Sequence, residues 1–238
     1  MPKEKVETMG IRGFDELVKG NHIKAPISIL VTGVSGVGKT VFVLQAIYFG
    51  AKQGIPGLYI AYEEPINSIR NLAKSLGFND FEDLEKKGLI TIIEQPASKG
   101  KITSIRNPLS IIESKKIKRV VLDSLTLFEF IYSNEPTSFR KGLIEFLDYM
   151  RNSGVMLLTT SERRHSGIDN FLHETQDFLF DGLIVLFRIR KGSTFERCIT
   201  VMKLRGHDHL LGIFPFSIQT GGIIIYPEQI PFSLIEKE

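Results

Sequence analysis

Short apolar runs alternate with longer stretches of helical spacing through the first two-thirds of the chain. Ile27-Ser28-Ile29-Leu30-Val31 reads as a buried strand, and Thr40 to Lys52 as a helix with apolar residues on one side. Leu58 to Tyr62 is a second strand, and Asn67 to Leu76 a helix ended by Gly77. Leu89 to Ile93 is a strand and Leu109 to Lys115 a helix. Arg119 to Asp123 is a strand that ends on an acid, and Thr137 to Arg151 a long helix stopped by Ser153-Gly154. Val155 to Thr160 is the next strand. Strands apolar on both faces, separated by helices, predict a parallel sheet covered on both sides.

After about Asp181 the rhythm changes. Leu183–Ile189, Glu196–Leu204, Phe214–Ile218 and Ile223–Tyr226 read as strands joined by the turns Lys191-Gly192-Ser193 and Thr220-Gly221-Gly222. This predicts antiparallel hairpins extending one edge of the parallel sheet. No Pro/Gly/Ser-rich linker interrupts the 238 residues, so one α/β domain spanning 1–238 is expected, with a short lead-in over 1–25.

Composition narrows the function classes. Hydrophobic residues make up 42% and charged residues 24%, a balance that allows a sizeable core. No apolar run approaches the roughly 18–20 residues of a membrane-crossing helix, and the polar start MPKEKVETMG lacks the apolar region of a secretory signal. Cys198 is the single cysteine, which excludes an internal disulfide and fits a reducing cytoplasm. A net charge of +3 argues only weakly for nucleic acid.

The chemistry is concentrated in Gly33-Val34-Ser35-Gly36-Val37-Gly38-Lys39-Thr40, which fits G-x-x-x-x-G-K-[ST] at every fixed position. The glycines let backbone N–H groups curl around phosphate oxygens. The following helix, from Thr40, turns its positive end toward the same oxygens, with Val41 of its first turn also among the candidate nucleotide-binding residues. Lys39 reaches the β- and γ-phosphates, and the Thr40 hydroxyl ligates Mg²⁺. Asp123, at a strand end, is the candidate acid for the magnesium shell, although such an acid also caps helices. Glu63-Glu64 follows the second strand, at the edge where open α/β sheets bind ligands. One of the pair can activate the attacking water; helix initiation is the plain alternative.

These residues resemble the RecA/KaiC-like ATPases. The order of phosphate loop, Glu63-Glu64, Asp123 and Thr160-Ser161-Glu162-Arg163 is similar to that family's. So are Gly10-Ile11-Arg12-Gly13-Phe14-Asp15-Glu16-Leu17 near the start and Lys203-Leu204-Arg205-Gly206, His209 and Phe214-Pro215-Phe216 near the end. The resemblance implies a RecA-like core and a ring, usually a hexamer, with ATP between neighbours. It implies that Lys203 and Arg205 reach the γ-phosphate of the adjacent subunit, with His209 near the base or ribose. Read without the resemblance, Lys203 and Arg205 are solvated strand-edge bases. The chain departs from the family at Leu211 and Thr220, and Asp177-Phe178 stand where the clock protein carries its phosphorylated Ser-Thr pair.

Three functions are compatible with these residues: a KaiC-like ATPase that signals to or remodels a protein partner, a recombinase-like single-stranded DNA-binding ATPase, and a nucleotide-sensing scaffold. The stretch Arg163-Arg164-His165-Ser166-Gly167 stands where recombinases hold DNA, but Phe171 is its only nearby aromatic, so a solvated loop is the plainer reading. His165, His173, His207 and His209 lack the spacing of a zinc site. Phe128, Phe130 and Tyr132 are read either as packing or as a partner surface.

Overall fold

A computed structural model describes residues 8–19, 22–95, 106–163 and 174–234. The expected strands are all present: β1 (Ile27–Gly33), β2 (Gly57–Ala61), β3 (Ile90–Glu94), β4 (Arg119–Asp123), β5 (Met156–Glu162), β6 (Gly182–Lys191), β7 (Thr194–Leu204), β8 (Phe214–Gln219) and β9 (Gly222–Ile225). They form one sheet in the order β3-β2-β4-β5-β1-β6-β7-β8-β9. The helices are α1 (Phe14–Leu17), α2 (Lys39–Lys52), α3 (Ile66–Ser75), α4 (Phe81–Lys86), α5 (Arg106–Ser114), α6 (Thr126–Ile131) and α7 (Pro136–Asn152).

The antiparallel extension begins one strand later than the sequence suggests. β6 pairs parallel with β1, and only β7, β8 and β9 run antiparallel to their neighbours. The chain reaches β6 from β5 by crossing β1, which returns it in the same direction. A strand's own alternation carries no record of that crossing.

Two cores fill the faces of the sheet. On one, α7 presents Phe139, Leu143, Phe146, Leu147 and Met150, a helical stripe that packs beneath β1 and β5. On the other lies α2, and here the expectation of a one-sided helix fails. Val41 through Tyr48 are all buried, because the lead-in and β9 close over the side of α2 that faces away from the sheet. Phe14 of α1 meets Phe42 edge-on at 5.6 Å between centroids. Burying a side chain such as Phe42 contributes about 1.5–3 kcal/mol. The one buried polar side chain of α2, Gln45, is satisfied: its Nε2 donates to the carbonyls of Gly10 and Ile223, and its Oε1 accepts from the Ile223 N–H. Gln45 therefore ties the helix behind the loop to both the lead-in and the last strand.

Candidate functional site

Parallel pairing gathers the strand ends on one rim. Gly33, the last residue of β1, registers with Glu162, the last of β5. Ala61, the last of β2, registers with Asp123, the last of β4. Glu63 and Glu64 follow β2 after one intervening residue, Tyr62, so residues far apart in sequence share one edge. A cavity of about 320 Å³ opens there, lined by Gly38, Lys39, Thr40, Glu63, Glu64 and Asp123 among others. Val41 also lines it.

The loop from Gly33 to Gly38 needs its glycines. Gly36 and Gly38 have φ of 70° and 121°, and a Cβ on Gly38 would stand 2.7 Å from Cδ1 of Ile218 on β8. Val37 is fully buried and anchors the loop from beneath, while Ser35 and Gly36 line the cavity. Lys39 Nζ donates to the carbonyls of Gly33 at 2.9 Å and Val34 at 3.0 Å. Burial lowers its pKa, against the carboxylates of Glu162, Asp123 and Glu63, which raise it.

Asp123 does not cap the next helix: α6 has Leu125 at its N-cap and no side-chain cap. Its carboxylate instead accepts from the hydroxyls of Tyr59, at 2.5 Å, and Thr160. These bonds fix an acid at the cavity wall. Tyr59 is held protonated by burial and by Asp123, well above its ordinary range. Glu63 accepts a bond from the Ser124 hydroxyl. Glu64 has a raised pKa, first from burial, then from the Asp123 and Glu63 charges. Helix initiation is not the pair's role, since α3 begins at Ile66 after Pro65.

The residues present fit a magnesium nucleotide. The loop offers a glycine cradle and a lysine, and the wall offers a hydroxyl and carboxylates, the hard oxygen donors magnesium prefers. Ser124, Thr126, Glu162 and Ile218 complete the lining and were not assigned roles from sequence. Their signal was positional: Ser124 and Thr126 follow the end of β4, Glu162 ends β5, and Ile218 comes from β8, which no local pattern brings to the loop.

Lys203, Arg205 and His209 do not reach this cavity. Lys203 Nζ donates to the carbonyl of Asp177 at 2.9 Å, and Arg205 Nη2 to that of Phe178 at 3.1 Å. β7 ends at Leu204, so Arg205 lies just past the strand, yet both bases reach the same turn. His209 lines a separate hollow with Lys19 and His207. Phe128 is buried against Tyr62, Tyr132 packs near Phe139, and Phe130 is 76% exposed. Among the described residues, no group of three or more His, Cys, Asp or Glu could hold a metal ion. Residues 164–173, with His165, Phe171 and His173, lie outside the described residues.

A phosphate loop on β1, an acid ending β4 and a β2 acid pair across a 3-2-4-5-1-6 parallel core define a RecA-type nucleotide-binding ATPase fold. The family pattern described as "ATPase: KaiC" matches residues 6–230. The circadian clock oscillator protein KaiC of Parasynechococcus marenigrum (strain WH8102) is 32% identical over 245 residues, covering 95% of this chain and 46% of that protein. The circadian clock protein KaiC3 of Synechocystis sp. is 28% identical over 246 residues, covering 99% of this chain and 47% of that protein. The chain thus spans about half the length of the curated relatives it matches. The crystal structure of the KaiC-like protein PH0186 from Pyrococcus horikoshii OT3 matches with a TM-score of 0.81 at 30% identity, covering 94% of this chain and 99% of that one. The chain belongs to the KaiC-like family of RecA-superfamily ATPases and carries one such ATPase region. No helix among the described residues is long and apolar enough to cross a membrane.

Proposed function

We propose that this chain is a magnesium-dependent ATP hydrolase that works as a ring coupled to a protein partner, with ATP hydrolysis completed between subunits. The observation that carries it is the division of charge: the loop, Glu63-Glu64 and Asp123 share one cavity, whereas Lys203 and Arg205 stand outside it. Lys39 and the loop N–H groups bind the phosphates. Thr40 and Asp123 hold magnesium, which when bound screens phosphate charge. Glu64, made more basic by burial and its acidic neighbours, takes the proton of the attacking water, while Glu63, fixed by Ser124, orients that water. Lys203 and Arg205 serve the neighbouring subunit's nucleotide, offsetting charge that develops during transfer, with His209 beside its base or ribose. The reading also supports a cytoplasmic ring, most simply a hexamer, that signals to or remodels a protein.

Phosphate release measured with and without magnesium and single-stranded DNA, alongside native mass, tests this. Magnesium-dependent release by a ring, unchanged by DNA, is expected. Release that DNA stimulates strongly favours the recombinase-like function, and tight ATP binding without release favours the scaffold.

A further inference from the structure

Behind the rim lies a set of buried contacts that the proposed chemistry does not use. Arg163, which follows β5, and Asp177, in the helical turn Thr175–Phe178, pair Nη2 to Oδ2 at 2.5 Å with side chains 5% and 3% exposed. On its inner side Arg163 reaches the root of the phosphate loop. Its Nε donates to Thr32 Oγ1 at 3.2 Å and its backbone N–H to the Gly33 carbonyl at 3.1 Å. That carbonyl is also one of the two that accept from Lys39 Nζ. On the outer side, the backbone carbonyls of Asp177 and Phe178 are those that hold Lys203 and Arg205.

A second contact joins the same two regions. Gln176, in the turn, donates to Glu129 of α6 at 2.9 Å, and Glu129 accepts from Ser161 of β5 at 3.2 Å. The turn is therefore held by the phosphate-loop side of the molecule and itself holds both outward cations. A buried ion pair adds little stability over apolar residues of equal volume; this one joins the root of the phosphate loop to the turn that holds the two cations.

We propose that the Arg163–Asp177 pair is a positioning link, through which nucleotide in a subunit's own phosphate loop sets the placement of that subunit's Lys203 and Arg205. This rests on the reading that the two cations serve the adjacent subunit. In a ring, the link makes each site's turnover depend on whether its neighbour is occupied.

Mixed rings separate the two ideas. The acceptor subunit carries Arg205→Ala and keeps its loop and acids. One donor carries Lys39→Ala and cannot hold nucleotide; the other carries Glu63→Gln with Glu64→Gln and holds ATP without hydrolysing it. In either mixture only the interface joining an acceptor loop to donor cations is active. Subunit exchange is confirmed by native mass. The two donors are expected to differ about fivefold in the turnover they restore, the lower end of typical coupling factors. Adding Arg163→Met with Asp177→Leu to both donors removes the pair without leaving a lone buried charge, and should erase the difference. If this double change prevents folding, Thr32→Val cuts the inner contact and should shrink the difference instead. Equal rescue by the unmodified donors overturns the link while keeping action in trans. A difference that survives loss of the pair, or that is undiminished by loss of the Thr32 hydroxyl in its place, also overturns it. No rescue by either donor, despite confirmed exchange, overturns action in trans itself.

Discussion

At the rim of the parallel strands, Asp123 and Glu162 end two different strands, yet they meet in one cavity with Lys39 of the loop that follows a third. At the end of β7, Lys203 and Arg205 are two residues apart and donate to the carbonyls of a turn, and Arg205 also lies 3.7 Å from the Asp181 carboxylate. The rim is a site one chain assembles for itself: its charges face each other, and burial shifts Lys39 and Glu64 accordingly. The β7 end presents cations outward, with Arg205 56% exposed on its side chain. On the proposed function, this contrast is that between the half of a shared site a subunit completes itself and the half it offers a neighbour.

Lys39→Ala should break the rim half outright. The loop loses its cation, and turnover should fall by about 100-fold or more, with weaker ATP binding. Equilibrium binding and phosphate release measure both; an unchanged variant would end the phosphate-site assignment. The acids should separate next. Glu64→Gln keeps the shape and loses the base, so hydrolysis should drop about 100-fold or more while ATP binding persists. Glu63→Gln keeps a partner for Ser124 and should cost about tenfold or less. Single-turnover rates distinguish them, and the opposite ranking would exchange the two roles.

The β7 half is tested by mixing. Arg205→Ala alone should lose about 10-fold or more in turnover, as groups that stabilise developing charge do. Combined with Lys39→Ala subunits it should recover part of that activity, and wild-type turnover should rise with protein concentration until assembly is complete. A monomer with concentration-independent turnover would return Lys203 and Arg205 to solvated strand-edge bases.

The two halves were not equally legible in the sequence. Gly33 to Thr40 is a local motif whose spacing alone imposes its geometry, and the strand-end acids follow from parallel pairing. The short helices α4 and α6 escaped notice because six residues carry too little periodicity; packing rather than propensity forms them. The direction of β6 and the closure over α2 depend on crossings that join distant segments. Ile218 reached the loop for the same reason. Lys203 and Arg205 were legible only by resemblance, because the role proposed for them needs a second chain that local spacing does not describe.

Glu129 stands between the two halves and gives the smallest expected effect. Its carboxylate touches Ser161 of the rim strand and Gln176 of the turn, and faces the charges of Glu174 and Asp177. Burial, then Glu174, push its pKa from an ordinary 4.5 up to about 7, while the bonds from Ser161 and Gln176 pull the other way. In the unfolded chain the proton leaves near the ordinary value. Between the two, the folded protein binds more protons than the unfolded one, so this group's contribution to stability falls as pH rises toward 7. Above that the carboxylate is charged in both states and the folded state bears its full cost. Glu129→Gln removes the charge and retains hydrogen-bonding capacity. The variant should therefore gain stability relative to the parent as pH rises from 5 to 8, by about 1 kcal/mol once solvent screening of a partly exposed group is allowed for. Thermal unfolding across that range measures the gap. A gap that is flat with pH, or that widens toward acid, would mean Glu129 is already ionised in the folded protein and that its neighbours, not burial, govern the junction between the two halves.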